Sequence, residues 1–234
     1  MSRFFICFTI LTSSLICGEP EISVIVPCYH GHFHHLEGLL TELAKQTLIP
    51  DEVVVALSEA DLIDPEEIVN LQNQEWPFCL KLITSSEKHF AGINRNIACE
   101  NAEGNILICQ DADDLPHVQR IEIIKRIFDL YHPDQVMHQY YRDSGEFYEW
   151  VIHDLDQLPF NWFRSWKRLL CYEGPIHHGN IAIKRSVLER VKWSQLRRGQ
   201  DVEFNKKCIE RLQNTLMVDL PLLIYRPQYS SWNQ

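Results

Sequence analysis

The sequence carries no internal repeat, no low-complexity stretch and no Gly/Ser-rich linker. Solenoids, disordered tails and loosely tethered domains are therefore excluded. None of its eight cysteines forms a C-x-x-C pair, which argues against a structural zinc site. Positive charge is scarce: Lys+Arg is 22 against 32 for Asp+Glu, a formal net charge of -10. No nucleic-acid partner is expected, because such partners need a basic face. An anionic ligand is compatible only where a local basic pocket or a metal ion offsets the repulsion. No glycine-rich loop follows the first strand-like run, which disfavours a nucleotidyltransferase.

What is present is ordinary globular composition. Of 234 residues, 45% are hydrophobic and 23% charged, enough for one large domain or two fused ones. Arg3 precedes the apolar run Phe4–Leu11, and small Gly18 closes the segment. Residues 1–18 read as a secretory signal peptide, because the run is shorter than the roughly 20 residues that a span requires. Cleavage and a place in the secretory lumen, or export, are expected. The alternative is a short retained anchor with peripheral membrane contact. Six cysteines remain beyond the leader, and Cys79 and Cys109 lie in strand-like runs as small hydrophobes. No essential disulfide is expected.

Ile22–Val26 is a β-branched run stopped by Pro27, as in a buried parallel strand. Leu36, Leu39, Leu40 and Leu43 follow at helical spacing. Val53–Val55 is a second strand, and Pro65–Leu71 a short helix capped by Asp64. Phe78, Leu80 and Leu82 alternate as a third strand. Ile93–Ala102 is a helix and Ile106–Ile108 a fourth strand. This β/α alternation predicts an α/β fold, a doubly wound and mostly parallel sheet binding ligands at the carboxyl ends of its strands. Beyond Pro116 come a helix over Val118–Leu130, an aromatic-rich stretch from Tyr140 to Trp166, a strand at Ile181–Ile183 and a helix over Asp201–Leu212. The aromatics suit a second core or a substrate-facing surface equally.

The chemistry-bearing feature is Gln110-Asp111-Ala112-Asp113-Asp114, directly after the fourth strand. Alternate residues of an extended segment share a side, so Asp111 and Asp113 can face one ligand. Mn²⁺ or Mg²⁺ prefers such oxygen donors, and phosphates complete the shell. An EF-hand is excluded, since Pro116 stands where that loop needs glycine.

Five segments together resemble family 2 glycosyltransferases of the GT-A fold. They are Ser23–Tyr29, Ala91–Asn96 (a G-x-x-x-A-R-N-like helix start), the D-x-D element Asp111–Asp114, His178–Ile183 and the late segment Gly199–Phe204. The resemblance implies a smaller acceptor-side sheet fused to the parallel one. Residues 19–114 would form the nucleotide-sugar-binding half and 115–234 the acceptor-binding half of one globular domain. It implies a UDP- or GDP-linked sugar donor, and an inverting transfer to an acceptor hydroxyl. Pro27, Tyr29 and Arg95 would border the nucleotide, Asp111 the ribose side, Asp113 the metal, and Asp201 would be the general base. As an alternative, Asp201 caps its helix.

Three departures stand out. Gln200 replaces a frequent glutamate, which raises the alternative of a degenerate nucleotide-sugar-binding protein. Ala56–Asp61 replaces an acidic segment, so the carboxylate beside the base is lost or displaced to Glu59 or Asp61. Gln228 stands where a metal-binding histidine sometimes occurs, with His177 or His178 as substitutes. The His30, His32, His34 and His35 cluster reads as exposed loop histidines, with His30 near the nucleotide. His89 is a further candidate for the same pocket.

Overall fold

A computed structural model describes residues 21–143, 151–155, 157–170 and 179–230. The leader, Phe147, Tyr148, Trp150, Cys171, His177 and His178 lie outside these described residues.

The amino-terminal half is a parallel sheet. Its strands are β1 (Ile22–Tyr29), β2 (Glu52–Ser58), β3 (Cys79–Thr84) and β4 (Ile106–Cys109), in the spatial order β3-β2-β1-β4. Helices α1 (Leu36–Ala44), α2 (Pro65–Asn73) and α3 (Ala91–Asn101) connect them. Parallel strands covered on both faces must be apolar on both faces, and β1 and β2 are buried almost throughout. Val24 and Val26 pack in one core with Leu36, Leu39, Leu40 and Leu43 of α1. Ile25, between them, packs in the other core with Ala98 and Cys99 of α3. Those four leucines are fully buried, at about 1.5–3 kcal/mol each.

The second half comprises β5 (Leu115–Pro116), α4 (Arg120–Tyr131), β6 (Gln135–Arg142), β7 (Phe160–Phe163), α5 (Trp166–Leu170), β8 (Ala182–Lys184), α6 (Gln200–Leu212) and β9 (Thr215–Tyr225). It is fused to the first half by hydrogen bonds. β8 runs antiparallel between β4 and β6, and β6 lies parallel to β9. Ile121 and Ile124 of α4 join the α1 core, while Phe204 and Ile209 of α6 join the α3 core. Both faces of the sheet are thus covered.

The structure departs from the sequence expectations in several places. β1 does not stop at Pro27 but runs on to Tyr29, with Pro27 paired to Ala56 of β2. Ile25 accepts from the Gln110 amide on the β4 side, and β4 pairing ends there. Pro27 has the same side orientation, so its missing N–H breaks no ladder bond. Cys79 is exposed, because it opens the edge strand β3. β6, β7 and β9 were not anticipated. The aromatic stretch divides: Phe163 and Trp166 are buried, Trp162 and Tyr141 exposed. Among the described residues Cys28, Cys79, Cys99, Cys109 and Cys208 are free thiols, and no helix is long and apolar enough to cross a membrane.

Candidate active site

The chain leaves β1 toward β2 on one side and later enters β4 on the other. That reversal opens a crevice at the carboxyl ends of the two strands. A cavity of about 350 Å³ occupies it. Pro27, Tyr29, Arg95, Asp111, Asp113 and Asp201 all line this cavity, though they come from four separated stretches of sequence.

Helix α3 begins against the strand ends. The buried Asn94 side chain donates to the Cys28 carbonyl at 2.6 Å and to Ser58 Oγ at 3.1 Å, tying β1 to β2. Arg95, 3% exposed, donates from Nη2 to Asp111 Oδ1 at 2.6 Å. Its guanidinium lies 4.7 Å from the Trp193 ring centre, and Trp193 stacks on Phe204 of α6. Burial opposes the Arg95 charge, but carboxylates, Asp111 foremost, hold its pKa above the usual arginine value. Asn96 exchanges two hydrogen bonds with the Trp193 backbone. Gly92 is required here: a Cβ on it would collide with the Ser194 carbonyl oxygen.

The acidic turn faces inward. The Asp111 amide donates to Asn180 Oδ1 at 2.7 Å, and Asn180 Nδ2 donates to Asp111 Oδ2 and Asp114 Oδ2 at 3.3 and 3.2 Å. The Arg226 amide donates to Asp114 Oδ1 at 3.0 Å, so Asp114 serves the architecture of the turn. Asp113 is 7% exposed. Burial first, then the charge of Asp111, pushes its carboxyl up to about 7. A buried carboxyl beside another carboxylate is a site short of positive charge. Two oxygen donors at the mouth of a crevice suit a hard divalent cation whose remaining ligands come from phosphate and water. Among the described residues, no three His, Cys, Asp or Glu side chains form a ready-made cage.

Asp201 lies in the first turn of α6, and its Oδ1 accepts from the Val202 amide at 2.9 Å. It is not the cap: α6 starts one residue earlier, and Gly199 occupies the cap position with φ 76°, a left-handed conformation that glycine adopts without a Cβ penalty.

Of the displaced-carboxylate candidates, Glu59 lines the cavity, while Asp61 is exposed on the following 3₁₀ turn. Glu59 has φ 55°, strained for a residue with a side chain, and lies 3.4 Å from His30 Nδ1 and 3.7 Å from Lys88 Nζ. His89 also lines the cavity. His32 is not an exposed loop histidine. It is 8% exposed, packs on the Tyr29 ring and contacts the Tyr229 carbonyl at 2.9 Å through Nε2. Burial lowers its pKa. Gln228 donates to Asp143 at 2.8 Å and does not line the cavity. Sequence reasoning gave no role to Asn180, Arg197 or Arg198. Asn180 lies within the family-like segment His178–Ile183, whereas the two rim arginines belong to no pattern.

A doubly wound sheet extended by antiparallel strands, with its crevice at the reversal point, is the GT-A arrangement. Residues 23–192 match the model of glycosyl transferase family 2, and the chain belongs to that family. Residues 1–349 of S. aureus TarS in complex with UDP superpose with a TM-score of 0.67 at 19% identity, covering 88% of this chain and 60% of that one. The same fragment in complex with UDP-GlcNAc gives 0.66 at 18%, covering 88% and 58%. A mycobacterial protein gives 0.59 at 16%, covering 88% and 67%. The chain thus spans about 60% of the TarS fragment, and the likeness is one of fold. No curated protein matches the chain.

Proposed function

We propose that the chain is an inverting, metal-assisted glycosyltransferase, moving a sugar from a UDP- or GDP-linked donor to an acceptor hydroxyl. One observation carries this reading: four stretches of sequence converge on one cavity, bringing an aromatic ring, a buried arginine, an inward-facing carboxylate pair and a separate carboxylate together. TarS was crystallised with UDP and UDP-GlcNAc, which makes UDP-linked sugars the first donors to test.

In this reading Tyr29 stacks on the base and Glu59 accepts one of its ring N–H groups. Asp111 lies toward the ribose. Arg95 holds the Asp111 carboxylate through Nη2, while Nε and Nη1, which have no protein partner among the described residues, are available to phosphate oxygens. Asp113 and Asp111 would hold Mn²⁺ or Mg²⁺. When bound, that ion offsets the negative charge building on the departing diphosphate. Asp201 takes the proton of the acceptor hydroxyl as its oxygen bonds to the anomeric carbon. The bond from that carbon to the phosphate oxygen breaks on the opposite face, and its electron pair leaves with the diphosphate. A positioned base contributes about 10²–10⁴-fold.

The test is a melting-temperature screen of nucleotide sugars with and without Mn²⁺. A selective, Mn²⁺-dependent rise is expected, since a ligand binding only the folded state stabilises it by mass action. No rise with any UDP- or GDP-sugar would sink the donor assignment. Gln200 lines the cavity at a position where the family often has glutamate, which motivates a second reading, binding without turnover. Release of free nucleotide from the donor that binds separates the two.

A further inference from the structure

Arg120 opens α4 and is fully buried. Among the described residues, its three hydrogen bonds all reach neutral groups. Nη2 donates to the Cys109 carbonyl at 2.9 Å, Nη1 to Gln110 Oε1 at 3.2 Å, and Nε to His138 Nε2 at 3.1 Å. Burial brings its pKa down to about 10, so it keeps its charge at neutral pH. A buried charge without a bonded carboxylate is costly to hold. Here the acidic turn compensates through space, with the Asp111 carboxylate favouring the cation.

Gln110 is the link between this cation and the turn. It too is fully buried, and its Nε2 donates to the carbonyls of Asp111 at 3.1 Å and Asp114 at 3.2 Å. A carboxamide can flip, and only its partners decide which end is oxygen. Arg120 has donors alone, so it can be met only by Oε1. The amide NH₂ is thereby forced toward the two carbonyls. The turn is clamped at both ends by one side chain, and that side chain is oriented by one arginine.

We propose that Arg120 is a positioning residue for Asp111 and Asp113, acting through the Gln110 carboxamide. This rests on the reading that the pair holds a divalent cation for a nucleotide donor. His138 completes the anchor: it accepts from Arg120 at Nε2, so the Nδ1 contact to the Gln139 carbonyl at 2.7 Å is its donor side.

The test uses Gln110→Glu and Arg120→Lys in the full chain. Glutamate keeps the size and meets Arg120 as an ion pair, but presents oxygen to the two carbonyls. Lysine keeps the charge but loses the fork that grips Gln110 and Cys109 together. Two readouts are followed: Mn²⁺ affinity in the presence of UDP, by electron paramagnetic resonance, and hydrogen exchange of the Asp111–Asp114 amides without ligand. Both variants are expected to exchange faster at the turn and to bind Mn²⁺ about 10–100-fold more weakly, the usual loss when a group behind a metal ligand is removed. A lowered melting temperature with unchanged exchange at the turn overturns the clamp. Faster exchange with unchanged Mn²⁺ affinity overturns its bearing on the cation. If the unaltered protein binds no Mn²⁺ with UDP, the functional reading fails, and hydrogen exchange alone then decides the clamp.

Discussion

The Asp111–Asp114 turn and Asp201 face one cavity, but they are held in opposite ways. The turn stands at the end of a buried parallel strand and is gripped from several directions, by Arg95, Asn180, Gln110 and the Arg226 backbone. Asp201 rides on the first turn of α6, and its carboxylate accepts from the amide of its own neighbour, Val202. Carboxylates that must present fixed oxygens to a cation gain from preorganisation. A carboxylate that must accept a proton gains from having few donors already spent on it. On the proposed function the turn would be the binding element and Asp201 the reacting one, and that assignment can be broken at either end.

The largest effect is expected at Asp201. Asp201→Asn keeps the size and the Val202 contact but removes a proton acceptor. Turnover should fall about 10²–10⁴-fold, while donor affinity, measured by calorimetry with Mn²⁺ and the nucleotide, stays unchanged. Full turnover in this variant would dissolve the contrast. Asp113→Asn should give the converse. Mn²⁺-dependent nucleotide binding should weaken by about 100-fold or more, since loss of a ligand exceeds the 10–100-fold typical of the groups behind it. Metal-independent nucleotide binding should persist. A variant that loses both kinds of binding would indicate a collapsed turn instead.

The same contrast separates what the sequence displayed from what it concealed. β1, β2 and β4 were legible because strands buried on both faces write themselves as unbroken apolar runs, and α1 because its leucines recur at helical spacing. The acidic pair was legible as a turn facing the crevice, since it directly follows a buried parallel strand, and both carboxylates line the cavity. Its support was not. Asn180 lies 69 positions from Asp111, and no local pattern announces a bond across that distance. β9 hid for a different reason. Asp219 and Pro221 interrupt its apolar run, and a register shift against β6 after His138 accommodates the interruption. The alternative of Asp201 as the cap of α6 does not hold: Asp201 is a good capping residue by type, yet Gly199 takes the cap position because it reaches the left-handed conformation at no steric cost.

Gly92 tests the seam between the two elements. It lets α3, which carries Arg95, pass close to the segment leading into α6, and the obstructing atom is a backbone carbonyl that cannot rotate away. Gly92→Ala should cost about 1–3 kcal/mol in urea unfolding, as overpacking does. Because the shift falls between Arg95 and Asp201, turnover should drop as well. Lost stability with normal turnover would show that the two carboxylate sites tolerate relative movement.

Asp64 gives the smallest effect and marks the boundary of the comparison. It caps α2, accepting from the Glu66 amide at 2.9 Å, with Pro65 opening the helix. No residue of α2 lines the cavity. Asp64→Ala should therefore cost about 1 kcal/mol of stability and leave both Mn²⁺-dependent binding and turnover intact, with Asp64→Ser recovering most of the loss. The outcome matters because the parallel half carries the acidic turn as well as α2. If weakening a distant helix end also weakened nucleotide binding, the grip on Asp111 and Asp113 would depend on the stability of the whole half-sheet. If binding is unmoved while the melting temperature falls, the grip is local, and the side chains around the turn suffice to hold its shape.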